Sequence, residues 1–223
     1  MAEYFVCDTT EVSFGPEPAA RSGVYSRRLK RGLDLLLVLL AAPFVVPLVF
    51  FLAFLVRRDG GPAFYCQDRI GRDGRVFRIW KLRSMVPDAD TLLAAHLEAH
   101  PEARDEWDRT QKLRDDPRIT PVGRLIRKTS LDELPQLWNV LTGDMSLVGP
   151  RPMMPAQAPL YPGQAYYRLR PGLTGYWQIS SRNESSFAER AGFDSRYAAE
   201  LSLRTDVRVL FSTVRVVLRG TGY

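Results

Sequence analysis

The chain has 223 residues, 45% of them apolar, with 31 Lys and Arg against 25 Asp and Glu for a formal charge of +6. That apolar share excludes a disordered chain, and the length allows one large domain or one domain with an anchor. Cys7 and Cys66 are too few for a disulfide framework and place the chain in a reducing cytosol. The positive excess points to an anionic partner, which can be nucleic acid, acidic lipid or a phosphorylated substrate.

Residues 1–22 are polar and irregular and read as a flexible tail. Arg21, Arg27, Arg28, Lys30 and Arg31 then precede an apolar run, Leu33 to Val56, and Arg57 and Arg58 follow it. Basic flanks around an apolar run favour lipid headgroups as the anionic partner. As a helix the run would be about 36 Å long, enough to cross a hydrocarbon core of about 30 Å. Pro43 and Pro47 lie inside it, and each removes an N–H and kinks a helix. The positive-inside rule also claims both flanks for the cytoplasm. A spanning helix and a bent helix that returns to the same face both remain open. Asp34, the one charge in the run, reads as a local ion-pair partner of Lys30 or Arg31.

Residues 63–83 read as a β-hairpin turning at Asp73-Gly74. Residues 88–115 read as helix interrupted at Pro101. His96 and His100 have a spacing that can hold zinc, but Leu97 stands where a metalloprotease carries Glu, so they read as a solvent face. A third helix starts near Ser130, a proline-rich loop runs from Gly149 to Pro171, and a last helix covers about Leu203 to Leu218. In that helix Val207, Leu210, Phe211, Val214, Val217 and Leu218 share one face, and Arg204, Arg208, Arg215 and Arg219 the other. It suits an anionic lipid surface and a core contact equally. The fold class is mainly α with a small β-hairpin (α+β), with amphipathic interfacial helices.

The stretch Thr129-Ser-Leu-Asp-Glu-Leu-Pro-Gln-Leu-Trp-Asn139 carries the chemistry. Ser130 and Glu133 have capping-box spacing, which by itself explains Glu133. It also puts Asp132 in the first turn of a helix, where free N–H groups attract phosphate. Adjacent carboxylates diverge by about 100°, so Asp132 and Glu133 take different tasks. A carboxylate can attack phosphorus, and a pair beside a diphosphate suits Mg²⁺. Arg151, Arg170 and Arg182 sit in Gly- and Pro-rich or Asn-containing loops, rigid settings in which a planar guanidinium can grip phosphate.

Seven runs occur in order: Lys30-Arg-x-x-Asp34, Gln67-x-Arg-Ile-Gly71, Lys81-Leu-Arg-Ser-Met85, Thr129 to Asn139, Gly143-Asp-Met-Ser-Leu-Val-Gly-Pro-Arg-Pro152, Arg170-Pro-Gly-Leu-Thr-Gly175, and Trp177-Gln178 with Arg182-Asn183. Together they resemble the bacterial sugar transferases, the monotopic phosphoglycosyl transferases, and the short chain is similar to the exopolysaccharide-type members. The resemblance implies transfer of a sugar-1-phosphate from a UDP-sugar, here a UDP-hexose, to undecaprenyl phosphate. UMP leaves, and Mg²⁺ is required. It makes Asp132 the nucleophile of a covalent phosphosugar-aspartyl intermediate and gives Glu133 metal or proton handling, both carboxylates being metal ligands. Lys81, Arg83, Arg151, Arg170, Gln178 and Arg182 fall on positions that bind substrate and phosphate. It also implies a re-entrant helix broken at Pro47, which divides the chain into a tail (1–22), a basic flank with membrane helix (23–58) and a catalytic domain (59–223). That domain would lie on the cytoplasmic face of the bacterial inner membrane. The partners are then nucleotide-sugar, lipid phosphate and membrane lipids, and not nucleic acid. Pro43 is an extra proline, and Ser181 replaces an expected Gly. A glycosyltransferase that moves the sugar alone would release UDP instead. A membrane-anchored polyanion binder would use the charge and leave the Asp-Glu and Arg motifs without a task.

Overall fold

A computed structural model describes residues 23–110, 113–180 and 187–218. The tail 1–22 and Arg182 lie outside the described residues. The described residues are mainly helical with two small two-stranded sheets.

Helix α1, Lys30–Arg57, takes in the whole apolar run as one element. Pro43 and Pro47 both lie inside it, so Pro47 does not split it into two elements as the resemblance implied. Each proline forfeits one backbone hydrogen bond, and the turns on either side keep theirs. Both ends of α1 dock on the same domain. Near the start, Arg31 donates to the carbonyls of Val140 and Leu141, and Lys30 Nζ lies 2.6 Å from Asp206. Near the end, the Val56 carbonyl accepts from Arg83 at 3.3 Å. The middle is bare, with Phe44 79% and Phe50 70% exposed. The Lys30 charge favours the ionised Asp34, as expected, but its hydrogen bonds go elsewhere. Its carboxylate is buried and accepts from the Ser146 hydroxyl at 2.7 Å and the Leu147 N–H at 3.1 Å. A buried carboxylate needs full hydrogen bonding, and a distant strand supplies it.

Strands β1, Phe64–Ile70, and β2, Val76–Leu82, pair antiparallel as expected. The turn takes Asp73 and Gly74 to φ of 59° and 75°, the left-handed region that Asp-Gly tolerates. Helices α2, Ala89–Ala99, and α3, Pro101–Thr110, form a helical pair, with Pro101 opening α3 where a missing N–H costs nothing. Helix α4, Pro121–Lys128, starts at a Thr120 cap whose hydroxyl accepts from Gly123 N–H at 2.9 Å. A Cβ on Gly123 would lie 1.9 Å from the Ser84 carbonyl oxygen, so glycine lets α4 sit against the chain leaving β2.

Helix α5, Gln136–Thr142, leads to β3, Ser146–Val148. Past the short helix α6, Ala165–Arg168, strand β4, Gly172–Thr174, pairs parallel with β3. This pairing presses two Gly/Pro motifs together: a Cβ on Gly172 would lie 2.1 Å from Gly149 N. Side chains at these positions would part the strands, so the glycines hold the Arg151 loop beside β4.

After α7, Tyr176–Ile179, and α8, Arg190–Glu200, comes α9, Leu203–Leu218, at the expected boundaries. Its buried side carries Thr205, Asp206 and Val209. Leu203, Val207, Phe211 and Val214 are exposed, alongside exposed Arg204, Arg208 and Arg215. The helix therefore packs through a mixed polar stripe and turns its apolar face outward. Asp206 is 1% exposed and accepts from Tyr25, Lys30 and Tyr197, so a buried acid ties α9 to the start of α1.

Candidate active site

The residues Leu131–Glu133 form a 3-10 turn between α4 and α5. Ser130 before it has φ of 56°, a left-handed conformation uncommon outside glycine and enriched at functional turns. The expected capping box is absent: Ser130 makes no side-chain cap bond. Glu133 instead accepts from Lys81 Nζ of β2 at 2.7 Å, and an Arg151 guanidinium nitrogen lies 3.7 Å away. A full ammonium outcompetes a neutral hydroxyl or amide for a carboxylate.

Asp132 is differently placed. It is largely shielded, and among the described residues no other side chain donates to its carboxylate. Burial pushes its carboxyl up to about 6, with Glu133 adding repulsion and Lys81 and Arg127 opposing it. The two adjacent carboxylates thus have different surroundings. Glu133 is held by cations, and Asp132 is a poorly solvated anion near neutral pH. Poor solvation and a raised pKa increase the reactivity of a carboxylate.

Lys81, Glu133 and Arg151 line one cavity of about 120 Å³. Arg69 from β1 and Arg190 from α8 line it too, along with Gln136 and Gln157. Neither arginine was picked out from the sequence. Arg69 lies inside the Gln67-x-Arg-Ile-Gly71 run, which was a usable signal, but nothing in the local pattern marks Arg190. The cavity is strongly cationic, and 120 Å³ is below the 300–1,000 Å³ of whole-ligand pockets, so it fits a charged group rather than an entire nucleotide-sugar.

The other expected residues go elsewhere. Arg83 is 8% exposed, and its guanidinium donates to Asp59, Pro62, Met85 and Val56. All five N–H groups are engaged by protein oxygens, so Arg83 clamps the end of α1 to β2 and has no donor left for phosphate. Arg170 donates to the Gly143 carbonyl at 2.8 Å and does not line the cavity. Gln178 is buried beside Gly175, where an added Cβ would lie 3.0 Å from its Oε1.

The donor set fits Mg²⁺. That ion uses one or two carboxylates and completes its shell with water and phosphate oxygens, so no protein cage is needed. Asp132 and Glu133 would supply the carboxylates, since among the described residues no group of three or more His, Cys, Asp or Glu could hold the ion, and the cations around Glu133 would face its phosphate oxygens.

A family model for the bacterial sugar transferases matches residues 25–220. The chain is 49% identical over 199 residues to the UDP-galactose-lipid carrier transferase of Erwinia amylovora, covering 88% of this chain and 42% of that one. It is 48% identical to the undecaprenyl-phosphate galactose phosphotransferase of Salmonella typhimurium, over 88% and 42%. It thus spans under half the length of these two relatives. Against the exopolysaccharide production protein ExoY of Rhizobium meliloti it is 42% identical, covering 94% of both chains. The ordered motifs and these matches agree: the chain belongs to the bacterial sugar transferase family.

Proposed function

We propose that the protein transfers a sugar-1-phosphate from a UDP-hexose to undecaprenyl phosphate, as a membrane step in exopolysaccharide assembly. The observation that carries this is Asp132, a shielded carboxylate raised to about 6, next in the chain to Glu133, which lines a cavity with four cations. In the first step an Asp132 carboxylate oxygen attacks the sugar-bearing phosphorus. The bond from that phosphorus to the bridging oxygen breaks, and UMP leaves with the oxygen and the electron pair. In the second step an oxygen of undecaprenyl phosphate attacks the same phosphorus, the phosphorus–Asp132 bond breaks, and the carboxylate is restored. Lys81 and Arg151 offset charge on the phosphoryl oxygens. Mg²⁺ held by Asp132 and Glu133 would screen the repulsion between carboxylate and diphosphate.

The placement of the anchor supports a monotopic arrangement. Straight, α1 from Arg31 to Val56 would extend about 38 Å. Yet Arg31 is bonded to α5 and Val56 to Arg83 at the end of β2, and α5 is itself joined to β2 through Asn139, which donates to the Arg78 carbonyl and accepts from Trp80 N–H. A bend at the prolines, with the bare phenylalanines at the apex in lipid, fits those contacts. The outward apolar face of α9 with its arginines would then lie at the headgroups of the cytoplasmic leaflet of the inner membrane.

The test is product identity. With UDP-hexose and undecaprenyl phosphate the protein should release UMP. UDP as the sole product would contradict the reading and favour simple glycosyl transfer.

A further inference from the structure

We propose that Arg69 and Arg190 form a second anion subsite, beside Lys81 and Arg151, that holds the phosphate leaving with the nucleotide. The proposal rests on the reaction just described and adds two residues to it.

The first observation is an imbalance of charge. Four cations line the cavity, and Glu133 is the carboxylate among them. Glu133 is already engaged by Lys81 and approached by Arg151. Arg190 is faced by Asp194 of its own helix, but that carboxylate accepts from the Tyr161 hydroxyl at 2.7 Å, and burial pushes its carboxyl up to about 7. It is therefore a partial counterion at neutral pH. Burial, and after it the proximity of Arg151, lowers both arginines, Arg190 to about 10.

The second observation is unmet hydrogen-bonding capacity. Arg69 donates to Gln67 Oε1 and the Pro152 carbonyl, yet its Nε is buried with no acceptor among the described residues. Arg190 Nε is in the same state. Buried donors without acceptors are rare and mark places where a missing ligand completes the bonding. The third is rigidity. The Arg190 guanidinium lies 4.1 Å from the Trp177 ring centroid and 4.8 Å from that of Phe187, so its plane is fixed before any ligand arrives. A preset planar fork suits phosphate oxygens.

The source of the phosphate follows from position. Arg190 is seated against Phe187, which packs on the apolar cluster containing Ile70, Tyr161 and Tyr166. No residue of α1 belongs to that cluster, whereas Val38 and Leu52 of α1 belong to the other two. Arg190 thus packs on the cluster that α1 does not enter, and the proposal commits to the nucleotide's phosphate over the lipid's.

The test uses the full chain in detergent or native membrane, with Arg190→Gln and Arg69→Gln. Two things are measured: UMP binding by calorimetry, and the KM for UDP-hexose and for undecaprenyl phosphate. Each variant should weaken UMP binding and raise the donor KM by about tenfold or more, with the lipid KM within about twofold of wild type. Arg190→Lys, which keeps the charge and loses the plane, should fall between. Unchanged UMP binding in both folded variants would overturn the proposal, as would a rise confined to the lipid KM, which would assign the site to the lipid phosphate. The melting temperature identifies a misfolded variant, and the other arginine then decides. The calorimetric arm does not depend on turnover. A wild type that releases only UDP would sink the proposed reaction, while the UMP-binding comparison would still decide the subsite.

Discussion

The clamp at the end of α1 and the cavity beside Asp132 use the same residue types to opposite ends. At the clamp, every N–H of Arg83 has an acceptor, and the guanidinium holds the Asp59 carboxyl below the usual carboxylate range. In the cavity, Arg69 and Arg190 carry buried donors without acceptors among the described residues, and next to it, outside the lining, burial raises Asp132 to about 6. Folding favours the Asp59 charge at the clamp and makes the charges of Arg69, Arg190 and Asp132 less favourable. Arginine in a motif can therefore be structural or ligand-binding, and an accounting of its donors tells which.

The largest expected effect is on catalysis. Asp132→Asn should lower UMP release by at least about a thousandfold while the protein still fractionates with membrane. Activity of wild type should also fall as pH drops through about 6, because the raised carboxyl is then protonated. A flat profile between pH 5 and 8 would break the assignment.

Next comes stability. Arg83→Ala should destabilise by about 2–4 kcal/mol, since it orphans several buried carbonyls and one partly exposed carboxylate. Arg190→Gln should leave the melting temperature equal or raised, because it removes an uncompensated charge. Melting curves in detergent that reverse this order would erase the contrast between the two regions.

Asp132→Asn should also stabilise the fold, by up to about 3 kcal/mol, at 1.36 kcal/mol per unit of raised pKa. The sign follows from the folded carboxyl binding its proton more tightly than the unfolded one. The wild type therefore loses stability as pH rises from about 4 to about 6, and the Asn variant does not. Asp59 behaves in the opposite way, its contribution present above about pH 4 and lost as pH falls. Melts of wild type and variant should coincide at pH 4 and separate by pH 7. The smallest effect concerns Asp206, which accepts from Tyr25, Lys30 and Tyr197. Tyr197→Phe should cost about 1–2 kcal/mol, read as a lower melting temperature.

Features encoded by neighbours along the chain were legible in the sequence. The hairpin at Asp73-Gly74, the bounds of α9 and the adjacency of Asp132 and Glu133 all depend on local pattern. Features settled by competition between distant groups were not. Ser130 and Glu133 have capping-box spacing, but Lys81, 52 residues away, takes the carboxylate. Asp34 has two basic neighbours in its own helix and bonds to β3 instead. The exposed face of α9 could not be read from hydropathy, because the core contact uses Asp206 and Thr205 while Phe211 faces outward. Arg83 and Arg151 look alike in their motifs and differ in whether protein oxygens have already filled their donors. The parallel pairing of β3 with β4 rests on glycines whose role appears only when the two loops meet.

In the proposed reaction Asp132 carries the sugar phosphate between two half-reactions. Intact-mass spectrometry of the protein mixed with UDP-hexose, without lipid acceptor, tests it most directly. The account predicts one equivalent of UMP, a mass gain of one hexose phosphate located on Asp132, and loss of that mass on adding undecaprenyl phosphate. Unchanged mass and no UMP until the lipid is present would contradict it and point to direct transfer between the two substrates.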